Sequence, residues 1–201
     1  MKLFYFPAAC SLAPHIALLE AGLPFDRESV DLKGKRTASG ADFLAINAKG
    51  YVPALVLDSG QTITENIAVL DWIAAQHPSL GVDGPLGRTR LLEMLAYVST
   101  EVHKSFKPFF VASSDDEKAR ARALIEKRLQ LPAERMRGPY LFGSQPVVAD
   151  FYLFVMLLWA DRFGLTVPDR LRALRDRMLE RPAVQAAMQA EGLIQGLAKS
   201  A

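Results

Sequence analysis

The chain has one cysteine, Cys10. No intrachain disulfide can form, and cysteine usage gives no sign of an exported protein. Its three histidines, His15, His77 and His103, are scattered, with no metal-ligand spacing among them, so no metal is expected. Long apolar runs are also missing. The longest, Phe151 to Ala160, is closed by Asp150 and Asp161, and a helix needs about 20 apolar residues to cross a bilayer. Met1 to Phe6, stopped by Pro7, is too short to be the core of a signal peptide. Charge of one sign is not in excess either: 24 Lys and Arg stand against 22 Asp and Glu. Residues 1–80 hold 6 basic and 8 acidic residues, and the remainder 18 and 14. Neither half carries the dense basic face that nucleic acid requires. Nucleic acid and membrane are therefore set aside as partners, and a cytoplasmic protein is expected. What the chain does have is 50% hydrophobic residues over 201 positions, enough to build one large domain or two small ones.

The first 78 residues alternate between strand-like and helix-like stretches. Leu3 to Phe6 reads as a buried strand stopped by Pro7. From Ser11 to Ala21 the positions of Leu12, Ile16, Leu18 and Leu19 fit a helix with Gly22 as its stop, and Pro14 lies early enough to be tolerated. Glu28 to Leu32 alternates as a strand does. Ala54–Leu57, the turn Asp58-Ser59-Gly60 and Gln61–Ile63 predict a hairpin. Glu65 to Gln76 returns to helix. His77 to Gly87, with two prolines and three glycines, is the clearest linker. Beyond it the patterns are helical: 88–111, with Pro108 ending or kinking it, then 115–137, 148–163, 168–180 and 182–190. The expected class is α/β plus all-α. A small unit of residues 1–80 (βαβ, hairpin, helix) docks on a helical bundle of residues 87–201.

Cys10 lies between the first strand and the first helix. Free N–H groups at a helix N-terminus favour a thiolate, and Ser11 offers a hydroxyl to the sulfur or to the cap. An inert buried cysteine is the competing reading. Val52-Pro53 precedes a strand, where a trans proline is the ordinary case and a cis bond would present the Val52 backbone to an extended peptide. Thr64-Glu65-Asn66 stands where the hairpin passes into helix. It reads as a cap formed by Thr64, and equally as a site for a charged amino-acid head group. His103 is a helical histidine of the second unit. Asp150 resembles a buried acid, but a carboxylate in the first turn of a helix is better read as structural.

As an ordered set these stretches resemble the bacterial beta-class glutathione transferases over essentially the full chain. The run comprises Met1–Tyr5, Ala9-Cys10-Ser11-Leu12, Pro14-His15-Ile16, Phe43-Leu44, Asn47, Lys49-Gly50, Val52-Pro53, Thr64-Glu65, Thr100 to Lys104, Ala149-Asp150, Tyr152 to Phe154 and Ala190 to Leu193. The resemblance implies a homodimer whose thioredoxin-like unit binds glutathione as cosubstrate. The Val52 backbone, before a cis Pro53, would pair with the cysteinyl part, and Glu65 and Asn66 would hold the γ-glutamyl end. Lys35, with Thr100, Glu101, His103 and Lys104, would complete the site. Cys10 matches a cysteine able to form a mixed disulfide with glutathione, and Ser11 and His103 would stabilise thiolate. A hydrophobic electrophile would sit against the second unit, near Phe106, Phe109, Phe110, Trp159 and Phe163. The implied activity is detoxifying conjugation, or exchange of glutathione with halide. A disulfide reductase using Cys10 and a non-catalytic carrier on the same fold are the alternatives. Three positions depart from the class pattern: Asn66 stands where Ser is usual, Ala96 where Asn can occur, and Val147 where a Ser or Thr cap is expected.

Overall fold

The computed structural model describes residues 1–194. Its first unit holds β1 (Lys2–Tyr5), α1 (Leu12–Glu20), β2 (Asp26–Asp31), β3 (Arg36–Thr37), α2 (Phe43–Ile46), β4 (Ala54–Val56), β5 (Thr62–Thr64) and α3 (Asn66–Gln76). The sheet order is β3-β2-β1-β4-β5. β1 runs parallel to β2, with Phe4 opposite Glu28, and antiparallel to β4, with Leu3 opposite Leu55. Neighbouring residues of β1 point to opposite faces, as strand geometry requires. Leu3 joins Leu55, Ile16, Leu70 and Ile73 beneath α1 and α3. Phe4 joins Val30, Phe43, Val52 and Ala54 on the other face.

The strand–helix alternation expected from sequence is present, with ends displaced by one or two residues. Two elements escaped the pattern. β3 has only two residues and α2 only four, too short for either period to register. α2 forms because the Asp42 carboxylate accepts from the Leu44 N–H at 3.0 Å and its Phe43 side chain is fully buried.

The second unit comprises α4 (Gly87–Tyr97), α5 (Lys107–Phe110), α6 (Asp115–Arg128), α7 (Gln130–Arg135), α8 (Val148–Arg162), α9 (Asp169–Leu179) and α10 (Pro182–Ala190). Among the described residues beyond 80 there is no strand, only an isolated bridge between Tyr140 and Gly143. The single helix expected over 88–111 breaks earlier than Pro108. Val98–Val102 widens into a π turn and His103–Phe106 tightens to a 3-10 turn, while Pro108 sits harmlessly in the first turn of α5. The expected helix 115–137 likewise divides into α6 and α7.

α8 is the centre of the molecule. From Val148 to Leu157 every side chain is buried, and α1 of the first unit packs along α8 and α10. Each large apolar side chain so buried contributes about 1.5–3 kcal/mol. Polar clamps tie the units together. Arg181 grips Glu20 through two contacts of 2.5 and 2.8 Å. Buried His15 on α1 meets the Glu191 carboxylate at 2.8 Å. Asp150 is fully buried, and its two oxygens accept from the Leu141 and Val147 N–H groups at 2.8 and 2.9 Å. Burial pushes its carboxyl up to about 7, against those two donors. The structural reading of Asp150 stands, and Val147 leaves the other half of the capping box unmade because it has no polar side chain.

Candidate functional site

The loop after β1 delivers Cys10 to the junction of the two units, and the second unit pins that loop at both backbone polar groups of one residue. The Ala8 N–H donates to the Glu191 carboxylate at 3.1 Å, and the Ala8 carbonyl accepts from the Trp159 indole N–H at 2.8 Å. Ala8 adopts φ 60°, a left-handed conformation that such paired anchors can hold. Ser11 then turns inward. Fully buried, its hydroxyl bridges the Phe6 N–H and carbonyl at 3.2 and 3.3 Å. It makes no side-chain cap and spends its bonds away from the sulfur. The hydroxyl is thus engaged with Phe6, and it is the Ser11 backbone N–H that draws the Cys10 thiol downward.

Cys10 is partly reached by solvent. Its thiol donates to the Val52 carbonyl at 3.6 Å. Apolar surroundings push it up from an ordinary 9 to about 12, against the pull of its own N–H and that of Ser11, and Glu65 adds to the rise. No cation is among the groups that act on the thiol, so nothing of full positive charge offsets the burial. His103 does not supply one. Burial, with Lys104 beside it, lowers the imidazole to about 4, so it is neutral at pH 7. Its Nδ1 lies 2.6 Å from the Tyr152 hydroxyl, and its ring stands edge-on to Trp159 at 5.1 Å.

Across from Cys10, the Val52–Pro53 bond is cis. The residues before it form a basic and aromatic rim. Lys35 donates its ammonium to the Gly50 carbonyl at 2.7 Å. A side chain at Gly50 would crowd this arm, since a Cβ there would stand 3.2 Å from the Lys35 Cε, and its φ of 70° is strained for any residue but glycine. Glu65, not Thr64, occupies the N-cap of α3, with φ 73°. Its carboxylate accepts from the Tyr51 hydroxyl at 2.7 Å and from the Lys49 ammonium. These two bonds, with Lys104 also near, hold the carboxyl below its usual range. Asn66 follows, buried, with neither polar side-chain atom in a hydrogen bond of ordinary geometry.

Thr100 and Glu101 lie elsewhere within the chain. They line a cavity of about 710 Å³ with Arg90, Glu93, Tyr97 and Arg135. The π turn that carries them is held by Arg128, whose guanidinium reaches the Glu101 carbonyl and the Ser105 hydroxyl, each at 2.5 Å, and the Glu101 carboxylate at 2.6 Å. The five apolar residues expected at an electrophile site do assemble. Phe109 stacks on Phe163 at 4.7 Å, Phe110 meets Trp159 at 4.7 Å, and Phe106 meets Trp159 at 5.5 Å. Sequence reasoning missed Lys49, Tyr51, Tyr152, Arg128 and Glu191 as functional neighbours. All but Tyr152 are polar residues on turns or helix surfaces whose partners are distant in sequence. Tyr152 was submerged in the longest apolar run.

Among the described residues no group of three or more His, Cys, Asp or Glu is placed to hold a metal ion, and no helix is long and apolar enough to cross a membrane.

Comparison with known proteins places this geometry. The family description "Glutathione S-transferase, N-terminal domain" matches residues 9–76, and "Glutathione S-transferase, C-terminal domain" matches residues 93–182. Glutathione S-transferase GstA of Escherichia coli O157:H7 is 42% identical, over 96% of this chain and 100% of its own. The bacterial beta-class glutathione S-transferase of Sphingomonas chungbukensis superposes with a TM-score of 0.90 at 45% identity, covering 96% of this chain and 100% of that one. A sphingomonad glutathione S-transferase complexed with glutathione gives 0.88 at 44% identity, with the same coverage of 96% and 100%. The chain belongs to the glutathione S-transferase family, with a thioredoxin-like first unit and a helical second one.

Proposed function

We propose that the chain binds glutathione in the cleft between Cys10, the Val52 backbone and Glu65, and conjugates its sulfur to hydrophobic electrophiles. The observation that carries this reading is the adjacency of the Cys10–Val52–Glu65 cluster to the Phe106–Trp159–Phe110 aromatic cluster, joined through Trp159 and its bond to Ala8. Residues 1–80 would supply the peptide-like site and residues 87–201 the apolar one, with positions 195–201 outside the described residues. Val52 pairs with the cysteinyl part, Glu65 and Asn66 hold the γ-glutamyl end, and Lys35 and Lys104 supply positive charge to its carboxylates. Thr100 and Glu101 complete the site in a homodimer, and the protein works in the cytoplasm.

In the reaction the glutathione thiolate attacks the electrophilic carbon. A C–S bond forms, the carbon–halide bond breaks, and the halide leaves with the electron pair; the thiol proton has already passed to solvent. Lowering the glutathione thiol pKa by about two units is worth about 2.7 kcal/mol. Neutral donors at the cleft are the groups available to do it. Burial pushes the Cys10 thiol up to about 12 and so keeps its thiolate scarce at neutral pH, which favours conjugation over the disulfide-reductase alternative.

Turnover of glutathione with chlorodinitrobenzene, for the wild type and Cys10→Ala, tests the reading. Conjugation by the wild type that persists within about tenfold in the variant is expected, since the attacking sulfur belongs to glutathione. No glutathione consumption by the wild type with a panel of electrophiles would leave a carrier on this fold as the better account.

A further inference from the structure

Tyr152 lies on the first turns of α8 and is 1% exposed. Its ring meets the His103 ring edge-on, with centroids 5.7 Å apart and planes at 80°, and Trp159 closes on the imidazole from another side at 67°. The imidazole is thereby fixed in orientation, and its contact with the phenol oxygen at 2.6 Å is short. Two proton arrangements would satisfy that contact. A phenol is a far stronger acid than a neutral imidazole N–H, and 2.6 Å suits O–H···N. The proton therefore sits on the oxygen and is donated to Nδ1. Burial pushes the phenol up and the charges of Cys10 and Glu65 push it the same way, outweighing the Ser99 and Asn66 side chains, which pull it down.

A neutral imidazole that accepts at Nδ1 must carry its proton at Nε2. Among the described residues Nε2 has no hydrogen-bond partner, and it is not among the sealed, unpartnered buried atoms. It is thus a donor that is neither sealed nor spent within the described chain. The Trp159 that packs on His103 also bonds Ala8, two residues before Cys10, which ties the imidazole to the loop where a thiol substrate would lie.

We infer that Tyr152 is a positioning residue that fixes His103 as the Nε2–H tautomer, so that a neutral N–H donor faces the sulfur of bound glutathione. The functional half of this inference rests on the glutathione-transferase reading; the tautomer itself does not. A fixed neutral donor stabilises developing thiolate throughout the neutral range, which a histidine titrating near its ordinary 6.5 could not do uniformly. It also removes His103 as a general base, because the one acceptor nitrogen is occupied by Tyr152.

The test is the long-range ¹H–¹⁵N spectrum of the histidine side chains in the glutathione-free protein, with His103 assigned by loss of its signals in His103→Gln. The wild type is expected to show His103 at pH 7 as a single Nε2–H tautomer. In Tyr152→Phe that signal should move to the Nδ1–H form or to a mixture. In the same variant the kcat for conjugation should fall about tenfold while KM for glutathione changes less than about twofold. A wild-type spectrum showing Nδ1–H overturns the inference outright, and this reading needs no variant to fold. An unchanged tautomer in a folded Tyr152→Phe overturns it too. A shifted tautomer with unchanged kcat overturns the functional half alone. A wild type that shows Nε2–H but never binds glutathione overturns the transferase reading and leaves the tautomer assignment standing.

Discussion

At the residue scale the decisive quantity is the ionisation of Cys10. Its position at a helix N-terminus is legible in the sequence and points to a thiolate, but position supplies only partial charges. The surroundings decide, and they are apolar side chains from both units together with the Glu65 carboxylate. None of these is adjacent to Cys10 in sequence, so no local pattern could have revealed the outcome. The neutral form is favoured, and the thiol releases its proton only well above the ordinary range. Alkylation of the glutathione-free protein by iodoacetamide should therefore rise with pH, with a midpoint above about 10. At pH 7.5 it should be much slower than that of free glutathione. A midpoint between 6 and 7 would show a stabilised thiolate and contradict the geometry. Ser11 teaches the same lesson: its neighbour in sequence is Cys10, yet its hydroxyl closes the Phe6 turn.

At the element scale, α9 and α10 were legible because one-sided burial imposes a 3.6-residue period, and α8 because its apolar run is too long for a buried strand. Departures came where a tertiary contact overrode that period. The segment 98–106 has a helical sequence, but Arg128 and Ser105 take the Glu101 carbonyl out of the regular ladder. A wider turn followed by a tighter one is what results. Thr100, Glu101 and His103 all sit on this irregular stretch, so its shape bears directly on the site. The start of α8 is governed by Asp150. Asp150→Ala would leave the Leu141 and Val147 N–H groups buried without an acceptor. That should lower the free energy of unfolding by about 2–4 kcal/mol, measured by denaturant titration. A loss below about 0.5 kcal/mol would mean that water or a shifted turn satisfies both groups.

At the scale of the whole molecule, function depends on how two separately recognisable units meet. The Pro- and Gly-rich linker pointed to a division, and the element order βαβ, hairpin, helix was legible, whereas the sheet order, with the two-residue β3 at one edge, was not. The junction was not visible, because it consists of single long-range pairs: Arg181 with Glu20, Glu191 with His15 and Ala8, and Trp159 with Ala8. Through them the helical unit sets the position of the Cys10 loop, and so places a peptide-like site of the first unit beside an aromatic cluster of the second. The central claim is that glutathione occupies this cleft with its γ-glutamyl end at Glu65. Calorimetric titration of glutathione into the wild type and into Glu65→Gln tests it most directly. The account predicts saturable binding at one site per chain in the wild type, weakened at least about tenfold in the variant by loss of a charge-assisted contact. Equal affinity in the two proteins, or no binding by the wild type, would contradict it.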